Sequence, residues 1–383
     1  MYANLLEKIR ELQRFGTGSI LLHAPVFEGN EKKYVLDAID STFVSSVGAY
    51  VVRFEKLLCG ISGSAYAVPC VNGTCALALA LFLAGVRPGS LVLTQSLTFV
   101  ATANAISHMG AEPVFLDVDR ATLGLSPEAV REFLEERCDR DGETCRLRST
   151  GQKVAACLPM HTFGLPCDLD ALLGLCGEWG IPLVEDAAEA LGSLYKGRHC
   201  GTLSTLGILS FNGNKTVTTG GGGAVLTSDP EMGARCRHLS TTAKLPHPWE
   251  FRHDAVAWNF RMPNLNAALG CAQLEQLESF LRIKRRRAEI YAEIFRDSHW
   301  EFVRETPGTQ ANYWLCAVLT RNRSERDAFL QESNDSGLMT RPIWEPLHTL
   351  PMYAHCLRGG LAVTADVADR LVNLPSGVGL GLT

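Results

Sequence analysis

Short apolar strands alternate with helices from about residue 65 to residue 185, and this pattern restricts the fold more than any other feature. The predicted strands cover residues 65–71, 91–94, 113–118, 153–160 and 181–185, with helices between them at 75–84, 100–109, 126–137 and 169–179. This spacing is typical of a mostly parallel sheet with helices on both faces. We therefore predict an α/β fold.

The regular alternation of strands and helices ends near residue 220, and a long helix and a smaller mixed α/β unit follow. We place the domain boundary near residue 250. Residues 1–250 then form a large domain that includes an N-terminal helical segment, and residues 251–383 form a small C-terminal domain. A basic run at residues 284–287 falls on the long helix, and we interpret it as a solvated helix face.

Charge and hydropathy exclude several classes of partner. The 383 residues carry 36 basic and 41 acidic side chains, a net charge of −5, so no electrostatic argument favours nucleic acid or an anionic membrane. The longest apolar run, residues 75–86, is much shorter than the roughly 20 residues that a membrane-spanning helix needs. The N-terminus lacks the apolar stretch of a secretory signal. These observations predict a cytoplasmic protein.

The 13 cysteines form no Cys-x-x-Cys motif and no Cys/His cluster with the spacing of zinc ligands. Most of them lie within apolar runs, which indicates reduced, buried side chains. A disulfide framework is the less favoured alternative. We predict no metal site.

Two polar residues stand where apolar segments end. Asp186 follows the strand at 181–185, and ligands of open parallel sheets bind beyond the carboxyl ends of strands. Lys215 lies 29 residues later, before four glycines, and a deprotonated lysine forms an imine with an aldehyde. Each residue taken alone also fits an ordinary role, a helix cap for Asp186 and a surface lysine for Lys215.

Two further segments follow earlier strands. Gly73 and Thr74 open an apolar helix, whose N-terminus suits a phosphate group. Phe99 follows the next strand and could cover a flat ring, although a core position is its commoner role. A phosphate cradle, an aromatic cover, a carboxylate and an imine-forming lysine are together the groups that pyridoxal 5'-phosphate (PLP) requires. Their combination at successive strand ends predicts a PLP enzyme.

The chain resembles the DegT/StrS family of PLP-dependent nucleotide-sugar aminotransferases, which have the fold-type I architecture. The resemblance runs from residue 21 to residue 376. It rests on residues 73–77 (GTCAL), 97–102 (LTFVAT), 117–119 (DVD), 161–164 (HTFG), 185–189 (EDAAE), 210–215 (SFNGNK) and 259–262 (NFRM). Four stretches resemble the subgroup that aminates C4 of 4-keto-6-deoxy sugars for bacillosamine and legionaminic acid: residues 41–48 (STFVSSVG), 210–215, 241–251 (TTAKLPHPWEF) and 339–344 (MTRPIW).

The resemblance implies a role for each matching residue. Lys215 would be the Schiff-base lysine and proton shuttle, and Asp186 would pair with the pyridinium nitrogen. Glu189, where many relatives have Gln, would lie near the phenolic oxygen. A carboxylate there needs either a proton or hydrogen-bond donors. The other implied cofactor contacts are Gly73, Thr74 and Ser210 to the phosphate, Phe99 on the ring, and Asn259 to the phosphate of a neighbouring subunit.

The role of Asn259 makes a homodimer with shared sites the expected assembly. The resemblance also implies substrate contacts along the path of the sugar and its diphosphate. These candidates are Ser45, Ser46, Val47, His161, Arg341 and His348.

The implied reaction transfers an amino group from glutamate, which leaves as 2-oxoglutarate, to C4 of a nucleotide-linked 4-keto-6-deoxy sugar. We expect UDP-2-acetamido-2,6-dideoxy-hexos-4-ulose as the substrate, with a GDP-linked, perosamine-like sugar as the alternative. One rival is a dehydratase of the same fold, which has His in place of the lysine. A second rival is a non-catalytic regulator that binds a nucleotide sugar. The pair of Asp186 and Lys215 argues against both.

Overall fold

A computed structural model describes residues 2–11, 19–142 and 144–379. Within these ranges the α-helices are α1 (Ala3–Glu11), α2 (Glu31–Asp40), α3 (Ala49–Ser62), α4 (Gly73–Leu83), α5 (Val100–His108), α6 (Pro127–Arg137), α7 (Leu169–Trp179), α8 (Pro230–Ser240), α9 (Asn264–Leu274), α10 (Leu277–Ile294), α11 (Arg323–Asp335) and α12 (Ala362–Arg370). Short 3-10 helices cover Thr162–Gly164, Leu347–Thr349 and Pro351–Tyr353.

The strands of the same ranges are β1 (Tyr66–Cys70), β2 (Leu91–Gln95), β3 (Glu112–Leu116), β4 (Cys138–Asp141), β5 (Thr144–Leu147), β6 (Val154–Leu158), β7 (Val184–Asp186), β8 (Leu194–Tyr195), β9 (Arg198–His199), β10 (Leu206–Ser210), β11 (Gly223–Thr227), β12 (Glu301–Phe302), β13 (Thr309–Gln310), β14 (Cys316–Leu319), β15 (Arg341–Pro342) and β16 (Leu371–Leu374).

The central sheet has the strand order β3-β2-β6-β7-β10-β11-β1. Parallel bridges from Cys157 to Leu183 and from Met160 to Asp186 join β6 to β7. Only β11, among the described strands of this sheet, runs antiparallel to its neighbours. The predicted α/β fold with a mostly parallel sheet is therefore confirmed.

The strands β2, β6, β10 and β11 are buried along their whole length. Strands covered on both faces by helices consist of continuous apolar runs, and this is why the sequence pattern predicted them well. β1 pairs with β11, and β11 pairs with β10, so β1 and β10 run in the same direction. The loops that follow β1, β2, β7 and β10 consequently meet at one edge of the sheet.

Two apolar cores lie on either side of helix α10. Leu277 and Phe280 of this helix pack into the core of the large unit, and Ala288 and Tyr291 pack into the core of the small unit. Helix α9 packs against α2 and α3 of the large unit. The boundary near residue 250 stays a prediction, and this packing favours a division within α10.

The N-terminal segment packs with the small unit, although we predicted it as part of the large domain. Leu6 and Ile9 of α1 lie in the small core, and Ile20 forms a parallel bridge with Leu338. This contact joins elements more than 300 residues apart, and no local sequence pattern predicts a contact across such a distance in the chain.

The small unit contains an antiparallel sheet with the order β12-β14-β16-β15. Between β15 and α12 the chain returns to the large unit, where Leu347 N–H donates to the Ser96 carbonyl at 2.8 Å. Phe115 N–H donates to Leu357 O, and Gly359 N–H donates to Phe115 O, both at 2.9 Å. This segment carries Trp344 and His348 to the edge of the central sheet.

The interpretation of residues 284–287 as a solvated face was wrong for two of the four residues. Lys284 and Arg287 are 1% and 0% exposed. Arg285 forms an ion pair with Glu305 at 2.8 Å, and Arg286 pairs with Glu289 on the exposed side at 3.0 Å. A run of four residues covers more than one turn of a helix, so its members cannot all face solvent on a helix packed along one side.

Of the thirteen cysteines, all but Cys59 and Cys75 are buried. None of the helices described combines the length and the apolar character needed to cross a bilayer.

Candidate active site

A cavity of about 380 Å³ opens at the edge of the central sheet where β1, β2, β7 and β10 end. Its lining comes from both units. The residues that line it are Asn72, Gly73, Thr74, Leu77, Phe99, Ala101, Thr102, Met160, Asp186, Ala188, Glu189, Ser210, Asn212, Asn214, Lys215, Trp314 and Trp344. All the predicted cofactor residues except Asn259 belong to this set.

Lys215 projects into the cavity from the loop after β10, with its side chain 12% exposed. Its Nζ donates to Glu189 Oε1 at 3.0 Å. The same nitrogen lies 3.9 Å from the centroid of the Trp314 ring, within the range of a cation–π contact. The amine is thus held between a carboxylate and an aromatic face.

Asp186 ends β7 and is 2% exposed. Its Oδ2 accepts a hydrogen bond from Thr102 Oγ1 at 2.9 Å, and its Oδ1 accepts one from Ala188 N–H at 3.2 Å. Burial raises the pKa of this carboxyl above its usual range, since desolvation disfavours the charged form. A cationic group in the cavity would restore the carboxylate, and a protonated pyridine nitrogen is such a group.

Glu189 uses both carboxylate oxygens. Oε1 accepts from Lys215 Nζ, and Oε2 accepts from Phe163 N–H at 2.9 Å. Burial raises the pKa of Glu189 to about 7, against the opposing effect of Lys215. Two donors on two oxygens match an ionised carboxylate better than an amide, and this is the stabilisation by hydrogen bonds that a carboxylate at this position requires.

The opposite end of the cavity suits a phosphate group. Helix α4 starts at Gly73, and Asn72 caps it by accepting from Cys75 N–H at 2.8 Å. A Cβ on Gly73 would lie 3.0 Å from the Cβ of Ser210, so glycine gives α4 and β10 a close approach that a larger residue would crowd. The N-terminus of α4 and the side chains of Thr74 and Ser210 line this part of the cavity together.

Phe99 lies at the mouth of the cavity, with 48% of its surface exposed. Its ring centroid is 6.3 Å from that of Trp344, at an interplanar angle of 58°. Trp344 in turn lies 5.3 Å from the ring of Phe163. The aromatic cover predicted from Phe99 alone consists of rings from both units.

Several predicted site residues do not line this cavity. Asn259 is exposed and belongs to an isolated bridge with Thr241. Ser45 and Val47 are exposed, and Ser46 is half-buried. In a single chain these residues lie apart from Lys215, as the prediction that Asn259 serves a neighbouring subunit requires.

The three basic candidates for substrate contact lie outside the cavity as well. His161 is fully buried and bonds Glu185 Oε2 through Nε2 at 3.2 Å, which favours a structural role. Arg341 is exposed and donates to Asn334 Oδ1 at 2.8 Å. His348 bonds Ser96 Oγ through Nδ1 at 2.8 Å, and it lines a neighbouring pocket of about 270 Å³ that shares Trp344 with the main cavity.

Sequence reasoning did not assign a role to Thr102, Trp314 or Trp344. Thr102 lies one helical turn after Phe99, so the motif at residues 97–102 already contained the signal. Trp314 arrives from the small unit, about 100 residues after Lys215, and no spacing rule relates the two. Trp344 lies in the matched stretch 339–344, which marked the segment but not the side chain.

Three potential metal ligands, Glu112, His355 and Cys356, come within 4.8 Å of one another away from the cavity. Burial raises the pKa of the Cys356 thiol to about 11, which favours the protonated sulfur over the thiolate that binds metals. His355 is exposed. We assign no metal to this group, and the absence of a metal site stays a prediction.

The cavity fits the cofactor inferred from the sequence. It places a buried carboxylate, an amine, a helix N-terminus and two hydroxyl side chains around one space at the carboxyl edge of a mostly parallel sheet. This combination defines a PLP-dependent enzyme of fold type I.

Comparison with known proteins gives the family. The model of the DegT/DnrJ/EryC1/StrS aminotransferase family matches residues 25–382. The GDP-perosamine synthase of Escherichia coli O157:H7 is 35% identical over 357 residues, with 93% of each chain covered. That of Vibrio cholerae is 35% identical over 364 residues, covering 94% of this chain and 95% of its own. The aminotransferase TlmJ from Streptoalloteichus hindustanus has a similar structure, with a TM-score of 0.85 and 31% identity over 95% of both chains.

The chain therefore belongs to the DegT/DnrJ/EryC1/StrS aminotransferase family. It is a PLP-dependent sugar aminotransferase. The predictions of family, fold, enzyme class and cofactor are confirmed, whereas the roles of individual residues stay predictions.

Proposed function

We propose that this protein transfers an amino group from glutamate to C4 of a GDP-linked 4-keto-6-deoxy sugar and so produces a GDP-linked 4-amino-4,6-dideoxy sugar of the perosamine type. The observation that carries the chemistry is the position of Lys215 and Asp186 on one cavity with a phosphate-binding end. The identity of the nucleotide rests on the similarity to the two GDP-perosamine synthases.

Each end of the cavity binds one part of the cofactor. The N–H groups at the start of α4, with Thr74 and Ser210, would hold the phosphate. Asp186, which accepts a hydrogen bond from Thr102, would pair with the ring nitrogen and favour its protonated form. When bound, PLP supplies an electron sink for the carbon that gains or loses a proton.

Lys215 moves that proton. Its Nζ is the basic group at the centre of the cavity, and it is directed by Glu189 and Trp314. The amine takes a proton from the amino donor in the first half-reaction and delivers one to C4 of the sugar in the second. The face of the sugar that Nζ reaches decides whether the new amine is axial or equatorial.

The GDP-linked substrate proposed here differs from the UDP-linked substrate that the sequence motifs favoured. The sequence motifs favoured a UDP-linked 2-acetamido sugar of the bacillosamine or legionaminic acid type, with the GDP-linked sugar as the alternative. The curated relatives support the alternative, and the pathway named from the motifs stays a prediction.

A homodimer with shared sites is part of this proposal. Exposed apolar side chains cluster in the segment before Asn259, where Trp249, Phe251 and Val256 are 77%, 80% and 97% exposed. Val47, beside Ser45 and Ser46, is 64% exposed. A second copy that covered these side chains would also bring Asn259 within reach of a neighbouring cavity.

Turnover of matched sugars tests the substrate. Purified enzyme is incubated with glutamate and either the GDP-linked or the UDP-linked 4-keto-6-deoxy sugar, and the aminated product is quantified by mass spectrometry and NMR. We expect kcat/KM for the GDP sugar to exceed that for the UDP sugar by at least about ten-fold.

The Lys215→Ala variant serves as the control and should give no product beyond one turnover. A higher kcat/KM with the UDP sugar would return the assignment to the substrate predicted from the motifs. Tight binding of either sugar without any product would favour the non-catalytic regulator.

A further inference from the structure

Lys284 is a buried cation that the proposed chemistry does not use. It lies in α10 with 1% of its surface exposed, and it forms no ion pair among the residues that the structure describes. Burial lowers the pKa of its ammonium group to about 7. Arg287, one turn further along the helix, adds a second positive charge and is also buried. A buried charge without an ion pair is costly. The contacts of the Lys284 side chain are therefore informative.

Three polar groups surround the side-chain nitrogen of Lys284. Nζ donates to the carbonyl of Ser376 at 2.7 Å and to the carbonyl of Trp314 at 3.1 Å, and it bonds His23 Nε2 at 3.0 Å. An ammonium group has three donors, so the set is complete. Of these partners, Trp314 is the one that lines the cavity.

All three polar groups of Trp314 form hydrogen bonds, which fix the position of the residue. Its N–H donates to Asn312 Oδ1 at 2.8 Å, and its carbonyl accepts from Lys284. Its indole Nε1–H donates to the carbonyl of Asn214 at 2.7 Å. Asn214 immediately precedes Lys215, so the indole is tied to the loop that carries the reacting amine.

The indole face then sets the position of the amine. Lys215 Nζ lies 3.9 Å from the ring centroid and 3.0 Å from Glu189 Oε1. Asn312 also links the two supports, because its Nδ2 donates to the Glu189 carbonyl at 2.8 Å. A contiguous set of contacts therefore leads from the buried Lys284 to the amine.

We propose that Trp314 is a positioning residue that holds the Lys215 amine for reaction, and that Lys284 acts through Trp314 by fixing its backbone. The proposal rests on the role of Lys215 in the proposed function. It extends that role to a residue of the small unit and to a buried charge more distant from the cavity.

Capture of the cofactor by apoenzyme tests this without any sugar substrate. Apoenzyme is mixed with PLP, and stopped-flow absorbance follows the step in which the Lys215 nitrogen bonds the aldehyde carbon and water leaves. Pyridoxamine phosphate, which has no aldehyde, reports non-covalent binding alone. We expect Lys284→Met and Trp314→Leu to slow covalent capture by at least about ten-fold, a larger factor than any change that they cause in the Kd of pyridoxamine phosphate.

Arg286→Met is the matched control, since Arg286 belongs to the same basic run but is exposed and pairs with Glu289. It should capture PLP at the wild-type rate. Trp314→Phe keeps an aromatic face and loses the bond to Asn214, so its rate should fall between those of wild type and Trp314→Leu.

The double variant Lys284→Met/Trp314→Leu decides whether the two residues act in series. Capture no slower than in Trp314→Leu alone supports the proposal, because Lys284 then acts only through the indole. Multiplied effects, or capture at the wild-type rate in either single variant, would overturn it. If Lys284→Met does not fold, Lys284→Gln takes its place in the same cycle. A failure of GDP-sugar turnover leaves this result unaffected, so the two proposals fail separately.

Discussion

Glu189 is a buried carboxylate next to Lys215 in the cavity, and its surroundings explain how its charge is tolerated there. Two donors, Lys215 Nζ and Phe163 N–H, bind its two oxygens. Burial opposes its charge and raises its pKa to about 7. The residue therefore combines well-matched hydrogen bonds with a high desolvation cost.

This balance predicts a pH-dependent stability of the apoenzyme. With a pKa of about 7 in the folded protein and 4.5 as its ordinary value, Glu189 binds more protons in the folded state between these two pH values. The unfolding free energy of the wild type should therefore fall as pH rises through that window. Glu189→Gln should lack this decline and gain roughly 2 to 3 kcal/mol relative to wild type between pH 5 and pH 8.

Urea unfolding of both apoproteins at several pH values measures the difference. Glu178→Gln, at an exposed position of α7, is the control and should follow the wild type at every pH. A Glu189→Gln difference that is the same at pH 5 and pH 8 would contradict the assignment.

Single residues differed in how far the sequence could reveal them. Asp186 was singled out because it follows an apolar strand, and Lys215 because it is an imine-forming amine that precedes four glycines. Trp314 was missed because it reaches the cavity from another unit. Lys284 was misread because a basic run has the same appearance on a solvated and on a buried helix face.

At the scale of elements, the junction of α4 and β10 shapes the part of the cavity that we propose binds the cofactor phosphate. Gly73 starts α4, and a Cβ at this position would come within 3.0 Å of the Ser210 Cβ. An alanine at this position would crowd the Ser210 side chain, and we expect the resulting shift to disturb the contacts of a phosphate bound between α4 and β10.

Gly73→Ala should therefore weaken binding of pyridoxamine phosphate by at least about ten-fold, since loss of charge-assisted hydrogen bonds costs on the order of 1.5–3 kcal/mol each. Isothermal titration of the apoenzyme gives the Kd. The matched control is Gly174→Ala in α7, where a Cβ would meet nothing within 4 Å. Equal affinities for the two variants would remove the phosphate role of this junction.

Element boundaries were predicted to within a few residues where the pattern was strong. Helix α4 was expected at residues 75–84 and spans Gly73–Leu83. The segment at residues 138–151 is polar and matches no strand predicted from the sequence, yet it contains the hairpin of β4 and β5. Its polar composition concealed the alternation, in which Cys138, Cys145 and Leu147 face the core.

At the scale of the whole molecule, the proposed dimer predicts complementation between inactive chains. Lys215→Ala and Asn259→Ala chains are mixed under conditions that exchange subunits. If Asn259 serves the partner's cavity, each heterodimer contains one intact site and one doubly altered site. Random pairing should then restore about a quarter of the wild-type activity at limiting PLP.

Activity of the mixture is compared with that of each variant alone at the same total concentration. Failure to exceed the sum of the two would place Asn259 and Lys215 in the same site of one chain. Mixing Lys215→Ala with Asp186→Ala is the control. Both residues line one cavity, so this pair should not complement.

The chain passes repeatedly between its two units. α1 packs in the small core, α2 follows in the large unit, α10 spans both, and the segment at residues 347–359 returns to the large unit before α12. Asp117 of the large unit accepts hydrogen bonds from Val363 and Thr364 at the start of α12. These hydrogen bonds and the shared packing hold the small unit against the large unit. A rotation of the small unit that admitted the sugar would have to break them. Access to the cavity would then depend on its opening and, in the proposed dimer, on the residues that the second copy contributes.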